Sequence, residues 1–87
     1  MERFNLEWQG QKFPAITTEI HTGRICGDMM EVTVASTDLW NQIREDVENC
    51  RNADAIRLDE NIFGYLSPEE MAKTDEEVQE LIQGFYE

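Results

Sequence analysis

The stretch RFNLEWQGQKFPAITTEIH, residues 3–21, decides the fold. From Arg3 to Trp8 it alternates, with Phe4, Leu6 and Trp8 on one side and Arg3, Asn5 and Glu7 on the other, which is the period of a half-buried strand. The polar, glycine-centred Gln9-Gly10-Gln11 suits a short hairpin connection into a second strand over Lys12 to His21, where Ile16, Thr18 and Ile20 share a face. Pro14 cannot donate a ladder hydrogen bond, so it favours an edge position or a bulge near the start of that strand. Gly23 and the Gly27-Asp28 pair then break the chain, before Met30, Val32 and Val34 alternate with Glu31 and Thr33 in a third strand. Three strands in this order make an antiparallel meander.

Beyond the meander the period changes. Thr37 is a candidate N-cap, and Asp38 in the first turn places a negative charge at the positive end of the helix dipole. Leu39, Trp40, Ile43, Val47 and Cys50 then recur at spacings of three and four, while Asn41, Arg44, Glu45 and Glu48 cover the other side. This pattern predicts an amphipathic helix ending near Arg51. Ala55 to Leu58 and Ile62 to Leu66 are short apolar runs around Asp59-Glu60-Asn61, read as a second hairpin. Ser67-Pro68-Glu69-Glu70 combines a capping serine, proline at the first helical position and a glutamate three residues after the cap. A second such box, Thr74 to Glu77, follows so closely that it predicts a break near Lys73. Val78, Leu81, Ile82 and Phe85 then face one way and Glu76, Glu77, Glu80 and Gln83 the other.

These elements compose one α+β domain over residues 1–87: a three-stranded antiparallel meander and a short hairpin, packed against one central helix and a C-terminal helical segment. The expected core is Phe4, Leu6, Trp8, Ile16, Ile20, Val32, Val34, Trp40, Ile43, Val47, Leu81 and Ile82. A chain of 87 residues with 40% apolar residues supports one small core, which argues against wholesale disorder.

Charge narrows the function classes. Nineteen acids against seven bases leave a net charge of −12, which repels phosphate backbones and anionic lipid, so direct nucleic-acid binding is disfavoured. The first 35 residues are nearly balanced, with five acids and three bases, whereas from Pro68 onward seven acids face Lys73 alone. No stretch approaches the roughly 20 apolar residues that span a bilayer, and the start MERFNLEW lacks the apolar run of a secretory signal. The reading is a cytoplasmic chain with no membrane contact. Cys26 and Cys50 have no paired-ligand spacing for zinc and are expected as two reduced thiols, Cys50 packed on the helix stripe and Cys26 more open in a Gly-flanked loop.

Catalysis needs groups of tuned protonation converging in a cleft. The one histidine, His21, sits at a strand end with only Glu19 as a sequence-near carboxylate, and the five glycines are too scattered for a phosphate loop. No catalytic residue, metal ligand or cofactor is assigned, although an enzyme or enzyme subunit stays open as the rival class. Residues 59–70 warrant one further comparison. Asp59, Asn61, Gly64 and Glu70 fall at the first, third, sixth and twelfth positions of a calcium loop, with Leu66 at the apolar eighth, and so the segment partly resembles an EF-hand. Phe63 departs from that pattern where an oxygen ligand is required, and Ile62 is apolar in a normally polar stretch.

The reading that remains is a small non-enzymatic binding or regulatory protein whose partner presents a basic surface, met by Glu69, Glu70, Asp75, Glu76, Glu77 and Glu80. In size and charge it resembles small acidic inhibitors that imitate the phosphates of a duplex. The alternative is that these acids only keep a small domain in solution. Nothing in the sequence fixes an oligomeric state.

Overall fold

The computed structural model describes residues 1–23 and 27–86. Their order is β1 (Glu2–Trp8), β2 (Gln11–His21), β3 (Met29–Ser36), α1 (Thr37–Glu48), α2 (Ala53–Glu60), β4 (Gly64–Leu66), α3 (Pro68–Met71) and α4 (Asp75–Tyr86). The result is a small α+β domain with a four-stranded mixed sheet, ordered β1-β2-β3-β4, and four helices among the described residues. At about 3.3 Å per residue the eleven-residue β2 runs some 36 Å, which accounts for most of the 41 Å long dimension.

The first hairpin follows the sequence reading. Gln9 and Gly10 both have positive φ, 48° and 80°, and Trp8 pairs with Gln11, so the connection is a two-residue turn of the type that matches strand twist. That turn makes Trp8 and Gln11 a hydrogen-bonded pair and fixes the alternation beyond it. Odd-numbered residues of β2 aim their backbone groups at β1, and even-numbered ones aim at β3. Pro14 obeys this rule: its nitrogen points away from β1, and β3 pairs with β2 only from Ala15 onward. β2 is therefore a central strand that is locally an edge at Pro14.

The same register divides the apolar residues between two faces. Leu6, Phe13 and Ala35 lie on one face with Leu39, Ile43 and Ala55 of α1 and α2, whereas Ile16, Ile20, Val32 and Val34 lie on the other with Val78 and Ile82 of α4. Each fully buried aliphatic side chain contributes about 1.5–3 kcal/mol, so the two clusters share the burden of stability. The expected core is corrected accordingly. Ile16, Ile20, Val32, Val34, Ile43 and Ile82 are buried. Phe4, Leu6, Trp8, Trp40, Val47 and Leu81 are only half-buried, because β1 is an edge strand and Trp40 sits at the rim of α1 against Tyr65, ring centroids 5.2 Å apart.

The second hairpin is replaced by a helix and a strand. Asn52 accepts hydrogen bonds from the backbone N–H of Asp54 and Ala55, and this cap starts α2 through the run read as a strand. Three apolar residues in a four-residue stretch carry no period that separates strand from helix, and Ala53 and Ala55 favour the helix. The chain then returns as β4, parallel to β3 with Val34 opposite Gly64 and Ser36 opposite Leu66, so the sheet is mixed instead of a three-stranded meander. A Cβ at position 64 would stand 2.8 Å from the Phe85 ring, so any larger residue there requires that exposed ring to move.

The cap of α1 is Ser36, one residue before the expected Thr37; its hydroxyl accepts from the Asp38 N–H at 3.2 Å. The helix ends at Glu48, not near Arg51. Arg51 N–H donates to Asp46 O and Cys50 N–H to Val47 O, a Schellman closure that forces Cys50 to φ 53°. Cys50 is thus exposed, not packed on the apolar stripe, and Cys26 lies outside the described residues. The break near Lys73 is present, with α3 ending at Met71 and α4 beginning at Asp75.

Left-handed backbone at a β-carbon-bearing residue costs about 1–2 kcal/mol, and glycine carries no such penalty. Cys50→Gly is expected to raise stability by about 0.5–1 kcal/mol in denaturant titration; a loss of stability would mean that the thiol makes contacts which outweigh the strain.

Candidate functional site

β1 stops at Glu2, opposite Thr17, so β2 continues for four residues, Thr18–His21, without a neighbour on that side. The outward-pointing backbone groups there belong to Glu19 and His21. Two glutamines one helical turn apart on α4 meet them. Gln83 accepts from His21 N–H at 2.8 Å and donates to His21 O at 2.9 Å, so its amide stands in for the peptide of a missing strand. Gln79 donates to Glu19 O at 2.8 Å and accepts from the Thr18 hydroxyl at 2.6 Å, and Tyr86 extends the row to Thr22 O. Both backbone groups of His21 and the carbonyl of Glu19 are thus met without a partner chain.

An open cleft of about 800 Å³ lies beside this row, lined by Glu2, Glu19, Glu31 and Glu80 together with His21, Gln79 and Gln83. Glu19 stands directly opposite Glu31 in the antiparallel β2–β3 pair, and both are exposed. Like charges in that position are some 5 Å apart at Cβ and destabilise the pair. Among the described residues the ion pairs are Arg3–Asp75 and Arg57–Asp54, so none of the four cleft glutamates forms an ion pair there. The His21 imidazole lies in the same cleft but makes no hydrogen bond to a carboxylate among the described residues.

The acids selected from the sequence divide into committed and free groups. Arg3 binds Asp75 Oδ1 at 2.9 Å while also donating to the carbonyls of Met71 and Lys73, which latches the α3–α4 junction onto β1. Glu70 closes a capping box with Ser67, and the Ser67 N–H and hydroxyl hold its carboxyl below the ordinary value. Glu77 accepts from the Thr74 hydroxyl at 2.9 Å. Glu69, Glu76 and Glu80 are exposed and unpaired among the described residues, Glu69 on α3 and the other two a turn apart on α4, so the helix break places them on two separate helices. Glu2, Glu19 and Glu31, which complete the cleft with Glu80, were missed. Alternation already put Glu19 and Glu31 on the face opposite Ile20 and Val32; pairing them needed the strand register.

The segment 59–70 is not one loop. Asp59 lies in the last turn of α2 and accepts the Tyr65 hydroxyl at 2.8 Å, Asn61 donates to Arg57 O, Gly64 is in β4 and Glu70 caps α3. Its four matching residues are divided among the end of α2, β4 and α3. The described residues hold no group of three or more His, Cys, Asp or Glu arranged to hold a metal ion, and no helix long and apolar enough to cross a membrane. Compared with protein-family models, curated proteins and solved structures, the chain matches none of them.

Removing the edge-capping amide has a local signature. Gln83→Ala should cost about 1–3 kcal/mol for two lost hydrogen bonds, and it should speed hydrogen exchange at the His21 amide more than at amides of the β1–β2 pair. Uniform acceleration would show that Gln83 acts only on global stability.

Burial pushes the Tyr65 phenol well above its ordinary 10.0, and the Asp59 carboxylate reinforces the shift. A raised pKa in the fold means that the neutral phenol is favoured, so the contribution is complete below pH 10 and lost as pH rises above it. Tyr65→Phe should therefore flatten the decline in stability above pH 10, measured by denaturant titration across pH 8–11. An unchanged decline would place the alkaline sensitivity elsewhere.

Proposed function

We propose that this chain is a small acidic binding domain, and that it meets a partner of basic surface through the open end of the sheet together with the exposed side of α4. The observation that carries the reading is the Glu19–Glu31 pair. Two glutamates directly opposite each other weaken the sheet, and among the described residues neither forms an ion pair. Glu2 and Glu80 share their cleft, and Glu76 lies one turn before Glu80. A lysine or arginine placed between Glu19 and Glu31 by a partner would turn this repulsion into attraction.

This site differs from acids spread for solubility, because it costs stability where a single threonine would not. The α4 acids Glu76 and Glu80 remain part of the reading, as does exposed Glu69 nearer α3; Asp75, Glu70 and Glu77 serve the fold first. The surrounding field would raise encounter rates with a basic partner and would be screened within about 10 Å at 0.1 M salt.

Two measurements test the proposal. Glu31→Lys should raise stability by about 0.2–1 kcal/mol, since it converts a like pair into an opposite one. The double reversal Glu19→Lys with Glu80→Lys should slow association with a lysine-rich peptide about tenfold more than Glu45→Lys with Glu48→Lys, which changes net charge equally on α1. Equal slowing by both pairs would mean that net charge alone acts and would remove the site.

A further inference from the structure

Two stretches of strand in this sheet extend past their neighbours, and they are treated differently. The overhang of β2 is covered by Gln83, which takes both backbone groups of His21, and by Gln79, which takes the Glu19 carbonyl. The overhang of β3 is not. β4 pairs only with Val34–Ser36, which leaves Met29–Thr33 with β2 on one side and, among the described residues, no strand on the other. The register aims the odd-numbered residues of β3 at this open side, and Thr33 confirms it by accepting from Phe63 N–H at 2.7 Å. The N–H and C=O of Met29 and Glu31 and the N–H of Thr33 therefore face outward.

A groove of about 370 Å³ runs along that edge, walled by Met30 to Thr33 on one side and by Glu60 to Phe63 on the other. Its two sides differ in chemistry. Exposed Met30 and buried Val32 lie on the α4 face, next to Phe63; Glu31, with Glu19 behind it, lies on the opposite face, and Glu60 flanks the groove. We propose that this groove receives an extended segment of the partner as a fifth strand on the free edge of β3, with basic residues beside Glu31 alternating with aliphatic residues beside Met30 and Val32. This rests on the acidic-domain reading above and adds the secondary structure and residue pattern of what is bound.

Charge selects the occupant. A second copy pairing through the same edge would bring Glu31 toward its own counterpart on a chain that also carries −12, so Glu31 blocks self-pairing while attracting a cation. The outer edge of β1 is a poorer match. Its outward residues are Arg3, Asn5 and Glu7, with Lys12 opposite Glu7, and Arg3 is engaged by Asp75 and the α3–α4 carbonyls.

The test uses the whole chain, ¹⁵N-labelled, and the blocked peptide Lys-Val-Lys-Val-Lys-Val-Lys. Strand addition should slow exchange of the Met29 and Glu31 amides at least tenfold when the peptide is saturating. Two N-methylated forms then keep the charge and side chains while removing backbone donors. In antiparallel addition the residue opposite Glu31 is a lysine whose N–H points at β3, so methylating the lysines should weaken binding at least tenfold and methylating the valines should not. In parallel addition the dependence is reversed, because the bonding residue lies opposite Met30. Glu31→Pro should weaken binding at least tenfold more than Glu31→Gln, which removes the same charge but keeps the N–H, since the backbone groups of residue 31 point outward and the β2–β3 ladder keeps its bonds; unchanged circular dichroism checks the fold. If all three peptides bind alike, the edge is not used and only the acidic-surface reading survives. No binding by the unmodified peptide sinks both, and dimerisation through β3 without peptide, seen by sedimentation, overturns this proposal in favour of a second copy.

Discussion

The two-residue turn at Gln9–Gly10 sets the register of the first hairpin, and through it the direction of nearly every backbone group in the sheet. Both residues adopt positive φ, which closes the strands at the narrow pair Trp8–Gln11 with no bulge in the pairing that follows. A slip of one residue would move Phe13 and Ala15 to the face of α4 and Ile16 and Ile20 to the face of α1 and α2. It would also turn Glu19 and His21 away from the open side, where Gln79 and Gln83 now meet them. Core, edge closure and acidic cleft thus share one geometric origin.

Unequal strand lengths do the rest. β2 outlasts β1 by four residues, and β3 outlasts β4 by five, so the sheet has two overhangs of similar length. Helix α4 crosses one face, bringing Gln79 and Gln83 to the first overhang and Phe85 over Gly64 beside the second. Its acids are left outward because its apolar stripe, Val78 and Ile82, is consumed by the sheet. The charged surface is in this sense a by-product of packing, except at Glu19 and Glu31, where the sheet carries a repulsion that packing does not require.

Much of the local structure was legible in residue order. The alternation of Phe4, Leu6 and Trp8, the turn at Gln9–Gly10, the capping box at Ser67 and the break after Met71 all depend on neighbours within a few residues. Ala55–Leu58 was misread because three apolar residues around Arg57 fit either period, and the decisive element, the Asn52 cap, lay just before the run. Cys50 was misread because helical spacing was carried into the Schellman closure, whose left-handed residue is Cys50 itself and is turned out of the stripe. For the candidate site, Glu76 and Glu80 could be placed on the outer side of α4 from period alone. Glu70 could be assigned to its cap, but the Arg3–Asp75 pair spans 72 positions and leaves no local trace.

The sequence by itself determined that the chain is acidic, that β1 to β3 form antiparallel strands, and where the last two helices begin, because charge, alternation and capping are properties of adjacent residues. Tertiary structure alone decided that β4 enters parallel to β3, that the apolar residues serve two faces, and that Glu19 meets Glu31. These outcomes depend on which strands end first and which helix covers which face. Both are settled by burial between segments far apart in the chain, a balance of packing that no window of neighbouring residues contains.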